Sequence, residues 1–155
     1  MGNTKEKGLS LFFVFMTLIP GPIAYAIYRW YVEKYPQDAL LLFDARKDIA
    51  NLVAGFSFSM LGFLAAVITI LFAFVSSEAY QRYKRAGFLD VLFVLYIFTV
   101  VHLVLTSFLS LYSFSSNEFV WAFRLMVVFF VNSIIQVLLI TVMINNLARN
   151  ASKEN

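Results

Sequence analysis

Uncharged residues run in four blocks along this chain, over 8–28, 49–77, 91–117 and 125–148, and the charges gather in the short segments between them. Each block reaches the ~20 residues that carry an α-helix across the ~30 Å hydrocarbon core of a bilayer. The pattern predicts an all-α membrane protein of a single domain, 1–155, with short loops and four transmembrane helices at about 9–30, 49–77, 89–114 and 119–147. The first helix is expected to kink or break near Ile19, at Pro20-Gly21-Pro22, because each proline removes a backbone donor and clashes with the preceding turn. Lipid tolerates such a break only where neighbours or water satisfy the freed carbonyls. Transporters and gates use broken helices at their sites; a kink without function is the other reading. The longest connector, 29–48, is interrupted by Pro36, and its 38–48 stretch reads as a short helix with Leu40, Leu41, Phe43 and Ala45 along the membrane surface.

Polar and small residues inside the blocks form stripes. In the second block Asp44, Asp48, Asn51, Gly55, Ser59, Gly62, Ala66 and Thr69 recur every third or fourth residue, which puts them on one helical face. Leu52, Phe56, Phe58, Leu61, Phe63 and Leu64 make the rest bulky. Small residues let another helix approach closely. The stripe therefore either packs inside the four-helix bundle or lines an oligomer axis or polar path, with Asp44, Asp48 and Asn51 at its outer mouth. On the second reading Gly62→Leu disrupts assembly and Leu64→Ala does not. The third block carries Thr99, His102, Thr106, Ser110 and Ser113 in the same rhythm. His102 falls near mid-membrane, where ionisable groups are costly and face the bundle interior or water. It is either a proton relay or pH gate, or a neutral ring hydrogen-bonded to a carbonyl or a neighbouring helix. Asn132 and Gln136 share a face of the fourth block and are the first partners expected for His102. Arg124 either snorkels to head groups or pairs with Asp44 or Asp48.

Composition then narrows the function classes. The hydrophobic fraction is 61% and the charged fraction 14%, outside the range of soluble domains. The first block lacks a signal-peptide cleavage pattern and reads as retained. Cysteine is absent and there is one histidine, so disulfides, thiol chemistry and a multi-histidine metal site within one chain are excluded. No HExxH, GxSxG or Walker motif and no paired intramembrane carboxylates occur, so neither an enzyme nor a bound cofactor is expected. The net charge of +3 is too small and dispersed for direct nucleic-acid binding. Lys5, Lys7, Arg82, Lys84, Arg85, Arg149 and Lys153 fall on one side of four crossings; Arg29, Lys34, Arg46, Lys47 and Arg124 fall on the other, where Glu33, Asp38, Asp44 and Asp48 offset the first connector. That bias puts both termini in the cytoplasm. Tyr28, Trp30, Tyr31, Tyr112 and Trp121 then mark the outer interface, and Tyr80 and Tyr83 the inner one.

The order of segments resembles known membrane proteins. It comprises a short basic tail, a proline-broken first span (TLIPGPIAYAIYRWY), an acidic-basic connector (FDARKDIANLVAGFS), a Gly/Ser-rich second span, and a basic turn (SSEAYQRYKRAGFLD) before two more spans. The layout is similar to the four-helix membrane proteins of bacterial phage-exclusion systems, the RexB type, and to the membrane subunit of Kiwa defence systems, KwaA. The resemblance implies a bacterial inner-membrane protein that works with a soluble cytosolic defence partner, either by depolarising the cell as an ion channel or by sensing phage attack at the membrane. Arg82, Lys84 and Arg85 would be the natural docking surface for that partner, although they equally satisfy the positive-inside rule. Four helices enclose little room for a hydrated path, so conduction implies a homo-oligomer in the bilayer, expected as a tetramer. The alternative from another class is a small housekeeping channel or solute transporter.

Overall fold

The computed structural model describes residues 15–35, 45–115 and 120–152, and the regular structure in them is entirely helical. Its elements are α1 (Pro20–Lys34), α2 (Arg46–Ala73), α3 (Glu78–Arg85), α4 (Phe88–Ser115) and α5 (Val120–Ala151). Three of them, α2, α4 and α5, are long and apolar enough to cross a membrane, with mean hydropathies of 2.2 to 2.5. Within the first segment, residues 15–18 are helical, Ile19 interrupts the helix, and α1 begins at Pro20. Ile19 itself keeps right-handed helical angles, φ −70° and ψ −38°. Lys5, Lys7, Asp38, Asp44, Lys153 and the 38–44 part of the surface helix expected over 38–48 lie outside the described residues; of the rest of that stretch, Ala45 precedes α2 and residues 46–48 form its first turn.

The three long helices pack against one another, while α1 packs on α5 alone among the described elements. Thr17 meets Gln136 and Gly21 meets Asn132, so the first segment runs antiparallel to α5. Two apolar clusters fill the bundle. One joins Leu64, Leu71, Leu92, Leu103, Ile140 and Leu147; the other joins Ala50, Val53, Phe123 and Met126. Outside them Leu52, Phe58, Phe72, Phe108 and Leu138 are exposed, while Ser57, Thr99, Thr106, Asn132, Ser133 and Gln136 are buried. A soluble domain hides its large apolar side chains and wets its amides. The reverse arrangement suits lipid, where polar groups retreat between helices.

The basic segment expected as a turn contains the helix α3. Ser77 stands extended before it and its Oγ accepts the Tyr80 N–H at 3.2 Å, which satisfies one of the orphan donors of the first turn. Ala79 is buried and Tyr80 and Tyr83 are half-buried against the main core, leaving Arg82, Lys84 and Arg85 exposed. After α3 the chain reverses through Gly87 at φ 75°, a left-handed conformation that glycine adopts without steric cost.

Candidate functional site

The site is built where the proline-rich segment meets α5. Pro20 and Pro22 have no N–H, so Gly21 carries the donor between them. That N–H bonds the Asn132 Oδ1 at 2.7 Å. One turn earlier Gln136 Nε2 donates to the Thr17 Oγ1 at 3.1 Å. These two bonds clasp the first segment to α5 at buried positions, each worth ~0.6–2 kcal/mol in a membrane interior. Gly21 is required there by proximity. A Cβ at that position would strike the Val128 carbonyl oxygen and come within 2.8 Å of the Asn132 Oδ1. Of the two partners expected for His102, Gln136 does stand beside that ring, whereas Asn132 turns to Gly21; the pairing of Thr17 and Gly21 with α5 is not foreseen from the sequence. The glycine between two prolines was the available signal, because a backbone donor stranded there needs a side-chain acceptor.

His102 is buried on α4 with its Nδ1 2.9 Å from the Phe98 carbonyl oxygen. A carbonyl only accepts, so Nδ1 carries the proton of that bond. The ring lies between Phe98 and Phe129, with centroids 6.3 and 5.3 Å away, and the Gln136 side chain stands beside it. The neighbouring hydroxyls are satisfied along their own helices. Thr99 donates to the Leu95 carbonyl at 2.7 Å, Thr106 to that of His102 at 2.7 Å and Ser107 to that of Leu103 at 2.9 Å. Ser57 on α2 and Ser133 on α5 do the same toward Val53 and Phe130. Of the third-block stripe, Thr99, His102 and Thr106 are thus bonded within their own helix. Ser110 Oγ, Ser113 Oγ and Gln136 Oε1 are the buried hydroxyl and amide atoms there without a partner. No acidic residue occurs in the apolar stretches of the described helices that could continue a proton chain from His102. Among the described residues no cluster of three His, Asp or Glu side chains could hold a metal ion.

The small-residue stripe of α2 does not pack inside the bundle. Asn51, Gly55, Ser59, Gly62, Ala66 and Thr69 are all exposed, and nothing lies within 4 Å of a Cβ built on Gly55 or Gly62. The inward face is instead Ala50, Val53, Ala54, Ser57, Leu64, Val67 and Leu71. Large aliphatic knobs fill the space between α4 and α5, so the small residues fall outward. Leu64 is consequently core, at 0% exposure, and Leu64→Ala cannot serve as the neutral control that the sequence reading made of it. Asp48 and Arg124 are both exposed and form no ion pair with each other; Arg29 and Glu33 do, at 3.0 Å. Arg82, Lys84 and Arg85 share the far end of the bundle with Arg149 at the close of α5. Compared with protein-family models, curated proteins and solved structures, the chain finds no match.

Proposed function

We propose that this chain is the self-associating membrane subunit of an anti-phage defence system, which senses a disturbance of the bilayer during infection and passes it to a cytosolic partner. The observation that carries the reading is the position of α5. Midway it holds the first segment through the Asn132 and Gln136 bonds, and at its end it meets α3, where Asn150 Nδ2 lies 3.4 Å from the Tyr83 hydroxyl. α1 has no other packing partner among the described elements, so a lateral force on it is borne by α5. A segment held by a few bonds can exchange between docked and undocked states separated by a few kcal/mol, and a stimulus shifts that population by its differential energy for the two. The exposed face of α2, from Asn51 to Thr69, offers the contact between copies, with a homo-tetramer as the assembly; an ion path would lie on the shared axis. The defence setting and the bacterial inner membrane follow from the likeness of segment order described above. Cytoplasmic termini follow from the excess of Arg and Lys on the α3 side.

Membrane potential should be followed in cells expressing the chain alone, and then with its genomic neighbour, before and during phage infection. Depolarisation timed to infection supports a regulated pore, and protection without depolarisation supports a transducer. Absence of both overturns the defence reading in favour of a housekeeping channel or transporter. Replacing Arg82, Lys84 and Arg85 together by Gln is expected to weaken co-purification of the partner roughly tenfold, about 1.4 kcal/mol, with membrane levels unchanged. Unaltered co-purification would remove α3 as the docking surface.

A further inference from the structure

Because α1 leans on α5 and does not touch α2, the gap between them is an open pocket of about 320 Å³, within the ~300–1,000 Å³ of small-ligand sites. Tyr25 and Tyr28 wall it on one side, Val53 on another, and Phe123, Val127 and Val131 form its back. Arg124 completes the wall, is exposed, and has no acidic partner among the described residues. An arginine so placed lays its methylenes on apolar surface and keeps its charge at head-group depth, and tyrosines favour the same depth. The first turn of α5 around it holds no acid. We propose that this groove binds one acyl chain of an anionic phospholipid, with the Arg124 guanidinium on its phosphate. The inference needs only that the bundle lies in a bilayer and does not depend on the defence reading. The chemistry of the groove selects the occupant. Its interior is aliphatic and aromatic, which suits a hydrocarbon chain, and its lining cation, unpaired among the described residues, suits phosphate through paired, charge-assisted N–H bonds. A zwitterionic head group would return its own cation to a site that already carries one.

The full chain, purified in detergent, should be loaded with phosphatidylglycerol or with phosphatidylcholine of the same chains, and the retained lipid counted by native mass spectrometry. The wild type is expected to retain the anionic lipid roughly tenfold better, and excess inorganic phosphate should not displace it. Arg124→Gln, an exposed change, should equalise the two lipids while leaving helix content intact. Val131→Trp, which fills the groove, should lower retention of both. As a reading independent of that variant's folding, Tyr25→Trp places a fluorophore in the groove. Chain-brominated phosphatidylglycerol should quench it more strongly than the brominated choline lipid, and adding Arg124→Gln should remove the difference. Equal retention of both lipids by the wild type, a preference that survives Arg124→Gln, or a groove that excludes lipid because a second copy occupies it would each overturn the proposal.

Discussion

Gly21→Ala is expected to lower the unfolding midpoint of the detergent-solubilised protein by roughly 5–12 °C, taking ~2–4 °C per kcal/mol for a chain of this size. Two effects oppose each other. Alanine favours a helix over glycine by ~0.8–1 kcal/mol, which alone would raise the midpoint. The added methyl, however, meets the Val128 carbonyl oxygen, as well as the Asn132 Oδ1 at 2.8 Å and Cγ at 2.9 Å. A side chain can turn away, but a carbonyl inside a helix cannot, so the segment must back off from α5. Overpacking of this kind costs ~1–3 kcal/mol, and the separation also releases the Gly21–Asn132 and Thr17–Gln136 bonds at ~0.6–2 kcal/mol each. The steric and hydrogen-bond losses exceed the propensity gain. Asn132→Ala removes one bond without introducing a clash and should cost only about 1 kcal/mol. Combining it with Gly21→Ala should not rescue the latter, because the Val128 oxygen remains. A midpoint that rises in Gly21→Ala would show that α1 is not held at this distance.

Gly62→Leu and Leu64→Ala, two residues apart on α2, are expected to fail in opposite ways. Gly62 opens onto empty space, so leucine there leaves the monomer intact or strengthens its helix by up to ~1 kcal/mol. If the α2 face joins copies, the same leucine blocks their close approach, and light scattering in detergent should report the monomer mass. Leu64 is wholly buried in the larger cluster. Truncating it should cost ~2–5 kcal/mol and lower the midpoint by roughly 5–15 °C, with any surviving folded fraction still assembled. Parent mass in Gly62→Leu would remove the α2 face as an interface, whatever the midpoint does.

Much of the architecture is legible in the chain's pattern of charged and uncharged residues. Blocks of uncharged residues longer than a bilayer is thick admit helices and little else, because hydrocarbon offers no partner for an open backbone. The second, third and fourth blocks correspond to α2, α4 and α5. The first block is described only from residue 15 onward, so its length as a crossing rests on the sequence. The helix α3 was missed because eight residues rich in charge give no hydropathy signal. The Ser77 cap and the spacing of Ala79, Tyr80 and Tyr83 were its only marks.

The sequence by itself determined the three long apolar helices and which of their residues share a face, since periodicity in a helix assigns faces without reference to neighbours. It could not say which face looks inward. In lipid both faces of a helix are apolar, so hydrophobicity does not rank them, and the choice falls to packing volume and hydrogen bonding between helices. Tertiary structure made that choice. It turned Leu64, Val67 and Leu71 inward and Gly55 and Gly62 outward. It gave Asn132 to the backbone of Gly21 and not to His102, and bonded His102 to its own helix at Phe98. Among the described elements it also set α1 beside α5 alone, with the groove at Arg124 between α1 and α2.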